Sequence, residues 1–122
     1  MAKLSRLKQD KLIDQEINRI MGVLSGASGE MLDLARPIIE RVAFMTITLC
    51  ELEQTIKTKG STYLFEQGKQ RMLVENPAQK AYSTLINRYT AAYKLLIDLL
   101  PKEQQKEAGD AFENFVTGRA DE

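Results

Sequence analysis

Histidine and tryptophan are absent from this chain of 122 residues, and cysteine occurs once, at position 50. Without histidine, the commonest general base near neutral pH and the commonest metal ligand are both missing. A single cysteine supports neither a disulfide framework nor a thiolate metal cluster. Cys50 lies in an apolar helical stretch, which predicts a buried structural thiol. No GxxxxGK[ST] or GxGxxG segment is present, so no phosphate-cradling loop is visible. No local pattern sets a serine or lysine beside an activating base. Glu51 and Glu53 stand two apart on a helix, where side chains do not face each other, and read as solvated carboxylates. The expectation is a chain that is not an enzyme and needs no cofactor or metal. No apolar run approaches the roughly 20 residues needed to cross a bilayer. The basic start, Met1 to Gln9, lacks the apolar region of a signal peptide. A soluble protein of a reducing cytoplasm, without membrane contact, is predicted.

Charge is plentiful and unevenly spread. The formal net charge is zero. Residues 1–22 nevertheless carry +2, residues 23–56 carry −3, residues 57–94 carry +5 and residues 95–122 carry −4. A basic middle and an acidic tail are compatible with an anionic partner.

Hydrophobic spacing predicts a mainly α fold. Ile13, Ile17, Ile20, Met21 and Leu24 give a helix over Lys3 to Leu24, with Leu4 and Leu7 extending it. Ser25 to Gly29, rich in glycine and serine, reads as a flexible joint. From Glu30 to Lys59 a second stripe runs through Met31, Leu34, Ala35, Ile38, Val42, Met45, Leu49, Leu52 and Ile56. Pro37 begins or kinks that helix, and Gly60 closes it after a basic last turn. Phe44, Ile47 and Cys50 lie off the stripe, so the helix is apolar on a second side, which in so small a chain suits another subunit. Ser61 to Glu75 reads as a hairpin or irregular loop leaning on helices or on a neighbouring chain. Asn76-Pro77-Ala78-Gln79 is a strong helix start: Asn as N-cap, Pro at N1, Gln at N3. The helix it opens carries Tyr82, Leu85, Ile86, Tyr89, Tyr93, Leu96 and Leu100 to Pro101, its tyrosines facing the second helix. A last helix, Lys102 to Val116, offers Ala108, Phe112, Phe115 and Val116, before a frayed end. The expected core is two long antiparallel helices with the hairpin or loop between them, flanked by N- and C-terminal helices. The organisation predicted is a basic helical arm at 1–27, a helical oligomerisation core at 28–117 with the hairpin at about 61–75, and a flexible tail at 118–122.

Two clusters suit phosphate. Lys3, Arg6, Lys8 and Lys11 on the arm either neutralise a nucleic-acid backbone or form an ordinary solvated face. Lys69 and Arg71, with Lys57 and Lys59, flank a hairpin that also carries Tyr63 and Phe65. Basic side chains beside aromatics bind nucleic acid, or else form a solvated rim around core aromatics.

A family resemblance rests on several short segments in order: Val42-Ala43-Phe44-Met45 through Leu49-Cys50-Glu51-Leu52, Lys59-Gly60, Phe65-Glu66-Gln67-Gly68, Glu75-Asn76-Pro77-Ala78, and Leu96-Ile97-Asp98-Leu99-Leu100-Pro101. Over about Ile38 to Lys102 the chain resembles the small subunit of phage terminases, in the branch common in phages of Gram-positive bacteria. The resemblance implies a non-catalytic factor that forms a homo-oligomeric ring in the host cytoplasm. Such a factor binds double-stranded viral DNA near its packaging start and regulates the large terminase subunit, which holds the ATPase and nuclease. It makes Lys3, Arg6, Lys8, Lys11, Lys69 and Arg71 candidate DNA contacts. Phe44, Ile47, Tyr63, Phe65, Leu95 and Leu99 become candidate interface residues. The chain departs from the family at Met72, Leu73 and Val74, where basic polar residues are usual, so packing is expected of the hairpin. The alternative is a helical protein–protein adaptor or inhibitor that binds no nucleic acid.

Overall fold

The computed structural model describes residues 5–102, 104–106 and 110. The chain is mainly helical with one small antiparallel sheet. The elements run α1 (Arg6–Val23), α2 (Gly29–Lys59), β1 (Thr62–Gln67), β2 (Gln70–Glu75) and α3 (Pro77–Ile97). Ser5 and Ser28 start the first two helices. Their hydroxyls accept from the Lys8 and Met31 amides, each at 3.2 Å, and so satisfy donors with no partner inside the helix.

Ser25 to Gly29, expected as a flexible joint, is a tight corner. Leu24–Gly26 form one turn of 3-10 helix, and the Leu24 side chain is buried. α1 is therefore pinned at its C-terminal end. Ile17, Ile20 and Leu24 share one core with Ala35, Ile39, Val42 and Ala43 of α2 and with Leu96 and Leu100.

α2 keeps its helical run through the exposed Pro37. The proline ring removes one backbone donor there but does not end the helix. The buried face of α2 differs from the stripe read in the sequence. Leu34 is 76% exposed and Met31 is exposed as well, whereas Ile39 and Ala43 are fully buried. α1 and α3 both pack on α2, which draws positions 35, 39, 42, 43 and 49 inside and leaves 31 and 34 on the flank. Cys50, expected inside, is exposed. It follows Leu49 by one residue, a rotation of about 100° away from the core face. Partial shielding of its sulfur, and then the nearby Glu53 carboxylate, push the thiol above its ordinary range. Leu7, expected to extend the stripe of α1, is 83% exposed.

α3 starts as the sequence predicts, with Asn76 as N-cap and Pro77 at the first position. It ends at Ile97, and a turn over residues 98–100 precedes Pro101. Tyr82 and Tyr89 face α2 as expected, whereas Tyr93 sits beside Arg19 and Ile20 of α1. The Tyr89 hydroxyl lies 3.3 Å from that of Thr46, and the Tyr82 hydroxyl donates to Glu53 at 3.1 Å. Tyr89 and Tyr93 pack with ring centroids 5.6 Å apart. Beyond Pro101, residues 102, 104–106 and 110 are helical. The apolar residues expected of a last helix (Ala108, Phe112, Phe115 and Val116) and the tail at 118–122 lie outside the described residues.

Candidate functional site

The end of the molecule where α2 stops, the hairpin projects and α3 begins holds the most distinctive group of side chains. Gly60 makes the exit possible. Its φ of 85° and ψ of 165° belong to a region open essentially to glycine alone, and an added Cβ would meet the Thr62 carbonyl at 3.3 Å. Asn76 closes the base. Its side-chain oxygen accepts from the Ala78 amide at 3.0 Å, and its amide donates to the Gly60 carbonyl at 2.8 Å. Its backbone amide donates to the Ser61 carbonyl at 2.8 Å. Through its buried side chain and its backbone amide, Asn76 thus ties the end of α2, the hairpin base and the first turn of α3 together.

The hairpin pairs Thr62 with Glu75 through Gln67 with Gln70. The two-residue loop Gly68-Lys69 has a glycine with φ of 61° in first place, the arrangement of a type II′ turn. Cross-strand partners share a face. One face therefore carries Tyr63, Phe65, Met72 and Val74, and the other carries Leu64 and Leu73 beside the Glu66–Arg71 ion pair at 3.3 Å. Every residue of the two strands except Val74 is exposed. Among the described residues the sheet has these two strands alone, and Glu75 at the base of β2 borders a groove shared with α2 and α3. α2 packs against both α1 and α3, and Gly60 turns the chain from α2 into the hairpin.

Charge concentrates at this end. Lys57 and Lys59 lie in the last turn of α2, Lys69 at the hairpin tip, Arg71 on β2 and Lys80 in the first turns of α3. Glu66 and Glu75 are the only acids among residues 57–80. Arg71 is held by Glu66, and the four lysines stand outside the ion pairs of the described residues. The N-terminus of α3, capped by Asn76, places its positive dipole end at the same end of the molecule. The Lys80 and Arg88 side chains also border an open groove floored by Leu52, Ala81 and Leu85.

The other residues singled out in the sequence are spread differently. Arg6, Lys8 and Lys11 are exposed on the first turns of α1, interleaved with Asp10 and Asp14. Lys3 lies outside the described residues. Phe44 is exposed on α2 near Ile13 and Ile17, Ile47 is half-buried, Leu95 is exposed on α3, and Leu99 packs partly against the core. Tyr63 and Phe65 share one hairpin face with Met72. Sequence reading missed Lys80, whose place beside the hairpin follows from the Asn76 cap, and Leu64, Met72 and Leu73 as exposed apolar residues. Among the described residues no three His, Cys, Asp or Glu side chains come together as a metal site, and no helix is long and apolar enough to cross a membrane. No family model, curated protein or solved structure matches the chain.

Proposed function

We propose that the chain is the small subunit of a phage terminase: a non-catalytic, ring-forming factor that binds double-stranded viral DNA in the host cytoplasm and regulates the large subunit. The observation that carries the reading is the basic hairpin end, where four lysines and Arg71 surround an exposed ribbon of Tyr63, Phe65 and Met72. A surface of this kind attracts a polyanion and releases its counterions. In this reading α2 and α3 form an antiparallel pair. The Thr46–Tyr89 and Glu53–Tyr82 contacts support that direction, because higher numbers on α2 meet lower numbers on α3. Exposed apolar side chains away from the core, Phe44 and Leu95 among them, suit contacts between copies. The order of the short segments from Val42 to Pro101 supports the family.

The experiment combines light scattering with duplex-DNA binding at several salt concentrations. A homo-oligomer whose affinity falls steeply with salt is expected. A stable monomer at micromolar concentration, or an oligomer that ignores DNA at low salt, overturns the reading. The second outcome favours a helical adaptor or inhibitor, since exposed Leu34, Phe44 and Leu95 suit a protein partner equally well.

A further inference from the structure

We infer that the segment from Gln105 to Val116 closes back on its own chain and covers the cleft between α1 and α3, antiparallel to both helices. The inference goes beyond the proposed function and depends on neither DNA binding nor contacts between copies.

α1 and α3 leave a cleft of about 50 Å³ between their C-terminal halves, walled by Arg19, Val23 and Leu24 on one side and by Tyr93, Ile97 and Leu100 on the other. Leu24 and Leu100 are buried, whereas Val23 is 55% exposed. The volume is far below the ~300 Å³ of a small-molecule site, and the aliphatic lining offers a ligand few polar partners. It suits an apolar side chain. Arg19 adds a preference for an aromatic one. Its guanidinium is held flat by two hydrogen bonds to Glu16, at 2.7 and 2.8 Å, and a fixed guanidinium plane is a stacking surface for an aromatic ring.

The chain itself brings an occupant to this cleft. Past Leu100 a helical turn begins, its Gln105 amide donating to the Pro101 carbonyl at 2.9 Å. Pro101 and Gln104 lie against Gly26: a Cβ added there would meet the Gln104 Oε1 at 3.3 Å and the Pro101 ring at 3.5 Å. The turn therefore starts at the end of the cleft marked by Leu24 and Leu100. Its orientation is set too. Gln105 is half-buried and its side-chain amide donates to the Asp98 and Leu100 carbonyls, while Lys102, Lys106 and Asp110 are exposed. At about 100° per residue, the helical spacing of the sequence puts Ala108, Phe112 and Val116 on the same face as Gln105. Two turns, roughly 10 Å, separate Gln105 from Phe112, and the cleft runs about two turns from Leu100 to Tyr93. On this path Phe112 arrives beside Arg19 and Tyr93. A tethered segment acts at an effective concentration on the order of millimolar, so it takes the cleft ahead of a second copy at micromolar concentration.

The test uses pairs of cysteines in a full-length Cys50→Ser chain. Val23→Cys with Ala108→Cys sets one on each side of the covered cleft. Leu95→Cys with Ala108→Cys is the control, because Leu95 is exposed and lies about 200° around α3 from Ile97. Under mild oxidation in dilute solution the Val23 pair should give roughly tenfold more intrachain disulfide than the Leu95 pair. Equal yields, or none from either pair, overturn the inference. Disulfide found mainly in covalent dimers of the Val23 pair overturns it in favour of a second copy in the cleft. A second measurement needs no crosslink. The natural chain has no tryptophan, so Phe112→Trp places a single indole in the segment. Its emission in the folded chain should lie to the blue of that in denaturant, and Val23→Lys should move it back to the red. Val23 is exposed, so circular dichroism should show the same helical content with and without that change. An indole that emits as it does in denaturant, or that ignores the change at Val23, overturns the inference.

Discussion

Two residues show how much single side chains carry. The Asn76 side-chain amide joins the Gly60 carbonyl at the end of α2 to the first turn of α3. Replacing it with Ala removes the cap and leaves the Gly60 carbonyl without its donor, a loss of about 1–3 kcal/mol. Asp at this position keeps the acceptor for Ala78 but sets a carboxylate against the Gly60 carbonyl. In thermal denaturation the order of melting should be natural chain, then N76D, then N76A or close to it, and an unchanged Tm for N76A would refute the account. Tyr89 supplies a pH signature. Burial, chiefly, raises its pKa above the ordinary value near 10. The folded state therefore holds the phenol proton more tightly than the unfolded chain. The stability this gives is fully present below about pH 10 and is lost as pH rises toward the raised folded value. Denaturant midpoints should fall above that pH, and Tyr89→Phe should fall less. Parallel curves would show that Tyr89 is not the group responsible.

At the level of elements, α2 carries a built-in cost at Pro37, eight positions into the helix. Pro37→Ala restores a backbone donor and removes the ring's clash with the preceding turn. It should stabilise the protein by about 1–3 kcal/mol, read as a higher Tm, because the site is exposed and free of core contacts. A lower Tm would mean that the proline shapes the α1–α2 corner. The elements were largely legible in the sequence. Asn76-Pro77 marked the start of α3 and Gly60 the end of α2, because each fixes backbone geometry locally. The facing of α2 was not legible. A helix touched on two sides buries a seam between its two apolar rows, so Leu34 came out and Ala43 went in. Cys50 misled for the same reason: an apolar neighbourhood along the chain is not burial in space. At the candidate site, Lys69 and Arg71 were legible as exposed basic residues, but Lys80 and the apolar hairpin faces were not. Their meaning depends on which segments meet at Asn76, and on both faces of the hairpin being exposed.

For the whole molecule, charge is arranged along the long axis. α2 has 31 residues and spans about 46 Å. Glu30 and Asp33 lie at its start, whereas Lys57 and Lys59 lie at its end, beside the hairpin and Lys80. The basic residues at the hairpin end are thus set apart along α2 from the acids at its start, and attraction for a polyanion is directed to that end. Reversing the basic end tests this without touching the core. Lys57, Lys59, Lys69 and Lys80 are all exposed, so changing them together to Glu should keep the fold, with Tm lowered modestly by the two acids placed in the last turn of α2. DNA affinity should drop by roughly a hundredfold or more at low salt, with a shallower dependence on salt, because each lost phosphate contact removes about one unit of slope. The corresponding change of Arg6, Lys8 and Lys11 should cost less, since Asp10 and Asp14 already offset that cluster. If the α1 variant loses more affinity than the hairpin-end variant, the DNA-facing end of the molecule has been assigned to the wrong place.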